Sequence, residues 1–387
     1  MNREYKTYEI RCIAPVHVGC GETLAPFDYL YDPRREEMIF LDPTRWARFL
    51  VEHKLIDKVA DQLQQETSGS LMEWLKRERI AEGEMRKLAI RRAKAATAGM
   101  GGKVKRSLNN GAVHIALADG RPYIPGSSIK GALRTGILYR LLQHAPKLRE
   151  KYWQRWMEIP VGAWKKETGK QITRSLEEEL LHRLTHPKTR SADAVNSALR
   201  GLGVSDATVV SRVETVILAK RDASLTKSDP APKDHSVALC RECLPAETKL
   251  RVSVSFDPAM MKTIGFSSLR EVMEAARAHV QAGLAMQEKV FGAYYKGEFA
   301  EAKEADLLLG GGTGFLAKTL FYALAPDERT AQRKAAEYFD AVFKAKGKSA
   351  HHHVAKDKIT PRALKLVQLY PDRYIMGLCA MREVKGC

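Results

Sequence analysis

Asp306 to Leu320 reads DLLLGGGTGFLAKTL, a glycine run followed by Lys318 and Thr319. A phosphate-binding P-loop, G-x-x-x-x-G-K-[ST], wraps phosphates in backbone N–H groups, brings its Lys to the terminal ones and sets its hydroxyl on magnesium. Counted from Gly312 the chain gives GTGFLAKT, so Ala317 stands where the second glycine belongs. A side chain there crowds the phosphate path that glycine leaves open. No following apolar strand offers an aspartate for magnesium. Nucleotide hydrolysis is not expected, and neither is a bound cofactor.

A second segment, ADGRPYIPGSSIKGALRTGIL (Ala118 to Leu138), offers another kind of anion site. Pro122 and Pro125 stiffen the chain, Gly126 turns it, and Ser127 or Ser128 caps a helix running from Ile129. The free N–H groups of the first turn and its partial positive charge suit a phosphate. Gly131 leaves room for a backbone, Lys130 and Arg134 share one face, and Ile129, Leu133 and Ile137 pack inward. The competing reading is a core helix with an exposed basic face.

Two smaller constellations complete the chemistry. His17 in PVHVG could act as a general acid or base. A lone His between a strand and a glycine turn reads as structural, so it is a weak candidate, and no catalytic residue is assigned. Cys240 and Cys243 form one C-R-E-C, whereas a zinc site wants a second pair or spaced histidines. His235 and His351 to His353 could complete one, but a loop is the simpler reading and no metal is expected.

The 387 residues carry 64 Lys plus Arg against 46 Asp plus Glu, a net charge of +18. An anionic partner follows, nucleic acid first. From Lys76 to Arg106, eleven basic residues face three acidic ones; Arg91, Arg92, Lys103, Lys105 and Arg106 are the candidates for phosphate contact. Six sparse cysteines suit a reducing compartment. No signal peptide or run of roughly 18 apolar residues is present, so a cytoplasmic chain without a membrane partner is expected.

These segments need a frame. Tyr8 to Val18 alternates as a strand, and Met38 to Leu41 is another. Asp42-Pro43 opens a helix to about Leu63, and Ser70 opens one that grades into a basic, RNA-facing loop. Lys147 to Arg200 is a helical appendage whose Trp153, Trp156 and Trp164 supply contact surface. Val209 to Leu218 and Leu250 to Phe256 are strands, joined through a loop at 225–236. Ser267 to Phe291 and Asp327 to Lys346 are helices, and Arg362 to Leu369 with Tyr374 to Arg382 make a hairpin. The mixture predicts an α+β protein with antiparallel sheets.

PVHVGCGETLAPFDYLYD (Pro15 to Asp32), YIPGSSIKGALRTGIL (Tyr123 to Leu138), GGGTGFLAKT (Gly310 to Thr319) and PRALKLVQL with YIMGLCAM near the end together resemble the RAMP subunits of type III CRISPR effector complexes. Their order and spacing look most like the subunit-five family of the type III-A Csm complex. The resemblance implies two ferredoxin-like, RRM-type domains with helical insertions. Drawn on this chain they are 1–204, with a basic insertion at about 44–110 and the appendage at about 147–200, and 205–387, with the Gly-rich loop 310–319. It implies a non-catalytic subunit that binds crRNA on its 3′ side, caps the backbone filament there and supports crRNA maturation and antiviral defence. The Gly-rich loop would lie over the RNA, adding Gly310, Gly311, Gly312, Thr313, Gly314, Phe315 and Lys318 to Ser127, Ser128, Lys130, Gly131 and Arg134. Implied partners are crRNA, neighbouring Csm RAMP backbone subunits, the small subunit and host nucleases that trim the 3′ end. The alternatives are a RAMP endoribonuclease that processes pre-crRNA, or another type III RAMP backbone subunit. A target-cutting backbone subunit would carry an aspartate over the target strand, and none is placed in this sequence.

Overall fold

A computed structural model describes residues 3–64, 69–95, 110–160, 163–343, 351–369 and 371–384. The chain opens with β1 (Glu4–Cys12), whose alternation buries Tyr8, Ile10 and Cys12. Val16 lies beyond that strand and makes an isolated bridge to Leu244. Three strands follow: β2 (Gly19–Leu24), β3 (Tyr29–Asp32) and β4 (Glu37–Leu41). Asp42 then caps α1 (Pro43–Glu52), accepting from the amides of Thr44 and Arg45. The single helix expected to Leu63 is broken: Lys54 turns at φ 55°, buried Leu55 anchors the turn, and α2 (Ile56–Gln64) starts anew. Ser70 caps α3 (Leu71–Arg77), which buries Leu71, Trp74 and Leu75.

After α4 (Glu82–Lys87), the basic stretch expected to continue the helical pattern is instead β5 (Ala89–Ala95), and the loop expected at 95–111 falls almost wholly outside the described residues. AIRRAKA has helix-forming composition, but β4 pairs along one edge and a later strand along the other, and tertiary pairing overrides local propensity. Then come β6 (Gly111–His114), β7 (Tyr123–Ile124) and α5 (Gly126–Gln143), followed by α6 (Pro146–Met157) and α7 (Lys166–Leu181). Trp153, Trp156 and Trp164 are buried rather than contact surface; Trp156 packs edge-on against Phe321 and Tyr338, ring centroids 5.2 and 5.8 Å away.

The expected strand Val209 to Leu218 divides. After β8 (Leu202–Val204), β9 (Ala207–Val209) stays in one sheet and β10 (Thr215–Ser224) enters the other. Strand β11 (Lys233–Cys243) takes in the last part, 233–236, of the loop assigned to 225–236, and both cysteines. It is followed by β12 (Lys249–Phe256), α8 (Pro258–Met261), α9 (Leu269–Phe291) with its Ser268 cap, and α10 (Lys296–Ala302). The end comprises β13 (Leu307–Leu308), α11 (Phe321–Leu324), α12 (Glu328–Val342) capped by Asp327, α13 (His353–Lys356), β14 (Ala363–Leu369), β15 (Asp372–Ile375) and β16 (Leu378–Glu383). The expected final hairpin is cut at Gly377, φ 86°, where the chain leaves β14–β15 and crosses to the first sheet.

That sheet has the order β13-β16-β1-β12-β9-β7, with β8 also on β12. Its members β1, α5, β9, β12, α9 and β16 form a ferredoxin-like unit, β16-β1-β12-β9, all antiparallel. Helices α5 and α9 cover it, so close that a Cβ on Gly136 would collide with the Ala276 backbone. Ile129, Leu133 and Ile137 point into this core, and truncating one to Ala costs about 2–5 kcal/mol. The second sheet runs β2-β6-β11-β10-β5-β4-β3, with β14 on β10; it is parallel at β5–β10 and β6–β11. The architecture is α+β. Both sheets draw strands from either side of residue 204, so strand pairing crosses the boundary expected there. Among the described residues, no helix is long and apolar enough to cross a membrane.

Candidate nucleic-acid interface

Three loops meet where the sheets adjoin: Pro15 to Gly19 after β1, the glycines after β13, and Met376-Gly377 between β15 and β16. Gly311 N donates to His17 O at 2.6 Å, Gly377 N to Pro15 O at 3.1 Å, and Leu309 N to Gly377 O at 2.9 Å. Gly310, Gly312 and Gly314 have φ of 81°, 86° and 94°. A Cβ on Gly310 would strike His17 O, and one on Gly312 would stand 2.6 Å from Met376 Sδ. Glycine is therefore required at 310 and 312 by the protein's own packing and backbone, not only by an approaching ligand.

Among the described residues, the amides of Gly312, Thr313 and Gly314 have no protein acceptor. Glycines with positive φ stand on both sides of Thr313, and backbone alternating in this way is what anion-binding nests are built from. Beside it stands Arg241, whose Nη1 is buried without a hydrogen-bond partner and lies 3.6 Å from where a Gly312 Cβ would be. Burial, and then the Arg241 charge, push the Lys318 ammonium below its ordinary pKa. Among the described residues, neither cation has a carboxylate within ion-pair distance. The loop leads only into four-residue α11, not the long helix that a P-loop opens.

The expected anion site at α5 is arranged differently. Pro125 is the N-cap, Ser127 and Ser128 lie inside the first turn, and neither side chain caps. Gly126 N donates to Asp206 Oδ1 at 2.8 Å, and a Cβ on Gly126 would collide with Val204 O. The protein's own carboxylate has taken the helix start. Lys130 is half-buried, its pKa lowered by burial and then by Arg3. Arg134 pairs with Glu177 at 3.3 Å, and a Cβ on Gly131 would meet nothing within 4 Å.

The basic segment is also partly spent. Arg91 holds Glu242 through two bonds of 2.9 and 2.8 Å and stacks on Phe40. Glu242 is 1% exposed and also accepts from Thr215 Oγ1 and His114 N. Arg91 is thus a half-buried cation already answered by a buried carboxylate; removing one partner of such a pair costs about 3–5 kcal/mol. Arg92 lies 3.9 Å from Glu37. Lys103, Lys105 and Arg106 fall outside the described residues.

His17 is pinned from both ends. Its Nδ1 donates to Glu242 O at 2.7 Å, its own carbonyl holds Gly311, and burial lowers its pKa, keeping it neutral. Nearby His114 donates from Nε2 to Tyr123 O and accepts from Val18 N at Nδ1, with burial lowering its pKa to about 4. Cys240 and Cys243, three apart on β11, fall in separate core clusters on opposite faces, unsuited to a shared metal.

Arg241 and Glu242 are the residues that sequence reasoning passed over. The signal was present in C-R-E-C: strand alternation puts Arg241 with Cys243 on one face and Glu242 with Cys240 on the other.

The RAMP superfamily model matches residues 9–207. "CRISPR system Cms protein Csm5" of Mycobacterium tuberculosis is 26% identical over 403 aligned positions, covering 98% of each chain. The protein of that name from Streptococcus thermophilus is 26% identical, over 83% of this chain and 82% of its own. In fold, the chain is similar to one in a Csm-crRNA-target RNA ternary complex of a type III-A CRISPR-Cas system (TM-score 0.61, 18% identity, 98% of this chain and 100% of that one). It is also similar to the T. onnurineus Csm5 crystal structure (TM-score 0.51, 18% identity, 74% and 82% covered). With the family model spanning more than half of its length, the chain belongs to the RAMP superfamily.

Proposed function

We propose that this chain is the fifth subunit of a type III-A Csm complex, binding crRNA on its 3′ side and capping the backbone filament without cutting RNA itself. The observation that carries the reading is the pair Arg241 and Lys318, without a carboxylate partner among the described residues, beside the unbonded amides of Gly312 to Gly314. Two cations and a nest of N–H groups suit a phosphodiester backbone and read no base. Lys130 and Gly131 on α5 would form an outer edge of the same path. The end-to-end likeness to relatives named Csm5 supports placement in such a complex, with crRNA and neighbouring Csm subunits as partners in the cytoplasm. The small subunit and trimming nucleases are further proposed partners. The endoribonuclease alternative depended on His17, whose imidazole is buried, neutral and bonded to Glu242 O.

The test is copurification of the tagged chain with the products of its neighbouring genes, followed by sequencing of the bound RNA. Recovery of crRNA with RAMP partners is expected; random RNA without such partners would refute the proposal. Incubating the purified chain with labelled repeat RNA checks the non-catalytic part, since specific cleavage that disappears in His17→Ala would overturn it.

A further inference from the structure

A cavity of about 390 Å³ lies between α6, α7, α11 and α12 and is closed on one side by the tail of the Gly-rich loop. Its size falls in the range of small-ligand sites, roughly 300–1,000 Å³. Trp156, Phe315, Phe321 and Tyr338 form its walls, and Lys170 and Lys318 bring positive charge to it, while Arg174 on the same lining is paired with Glu178 at 3.1 Å. The single carboxylate lining it, Glu177, is already paired with Arg134. Thr319 also lines it, with a hydroxyl that is buried and has no hydrogen-bond partner. A larger cavity, about 560 Å³ around Arg329, Arg333 and Asp357, has charged walls and no Phe, Tyr or Trp.

We infer that the aromatic cavity receives one unstacked nucleobase of the bound RNA, with its phosphate facing Lys318 at the cavity edge. The inference rests on the RNA-binding reading above and deepens it. Every base offers a π-face to aromatic walls. An apolar side chain from a protein partner would leave Lys170 and Lys318 unanswered. Lys318 belongs both to the cavity and to the Gly-rich loop, so a strand tracking that loop passes the cavity mouth.

The experiment uses the full chain and a set of RNA oligonucleotides, each with a single abasic nucleotide at a different position. Loss of one particular base should weaken binding about 5- to 100-fold, the worth of one stacked base. Thr173→Phe, at an exposed position of α7 on the cavity lining, should abolish that position's sensitivity, and the smaller Thr173→Leu should reduce it. Equal affinity across the abasic set in the wild-type chain would overturn the cavity assignment while leaving RNA binding intact. The same holds if the plugged variants keep the wild-type sensitivity, or lose only assembly with a protein neighbour. No affinity for any RNA would refute the RNA-binding reading itself, and the inference with it.

Discussion

The start of α5 and the Gly-rich loop both offer backbone N–H groups beside lysine or arginine, yet the fold treats them in opposite ways. At α5 the protein supplies the anion itself: Asp206 accepts from Gly126 and Glu177 answers Arg134. At the loop, among the described residues, no carboxylate arrives, and Arg241 and Lys318 stay without an ion pair beside unbonded amides. A helix N-terminus and a basic residue make an anion site only if the rest of the chain leaves them unsatisfied. The difference points to the loop, rather than α5, as the stronger phosphate contact.

The comparison breaks most forcefully at Gly312. A valine there must adopt φ 86° and meet Met376 Sδ, so Gly312→Val should cost about 2–5 kcal/mol, from backbone strain and overpacking together. Urea unfolding measures this. An unchanged midpoint would mean that the loop swings clear of Met376 and is not held by the protein.

The frame beneath the loop sharpens the same point through pH. His114 is neutral in the fold, its pKa lowered by burial to about 4 from an ordinary 6.5. Because the folded pKa is the lower one, the contribution is complete above pH 6.5 and is lost as pH falls from 6.5 toward 4. The loss should reach about 3 kcal/mol, with Val18 N losing its acceptor on protonation. Across that range the wild type should lose stability relative to His114→Gln as pH falls; a constant difference between their unfolding midpoints would show that His114 titrates normally.

The smallest effect separates the two sites directly. Arg241→Glu with Lys318→Glu should lower the salt slope of RNA binding by about 1.4, two single-strand phosphate contacts at roughly 0.7 each. Lys130→Glu with Arg134→Glu should change it by less than half of that, because Arg134 is already paired. Anisotropy titrations over a salt series decide the matter, and equal slopes for the two double variants would erase the distinction.

Local signals in the sequence determined much of the frame. The alternation of Tyr8, Ile10 and Cys12, the Asp42-Pro43 start, and the Ser70, Ser268 and Asp327 caps act over a few residues and need no distant partner. Leu250 to Phe256 was legible for the same reason. In the candidate site, the glycines after Leu309 and the nearby Lys318 stood out by composition alone. Tertiary structure decided the rest, through contacts that no local window contains. Strand β5 exists because β4 and β10 flank it, Asp206 reaches Gly126 across 80 residues, and Arg91 is withdrawn from the surface by Glu242, 151 residues away. Which cations remain free for RNA depends on which carboxylates fold back to meet the others, a long-range choice that composition and spacing do not encode.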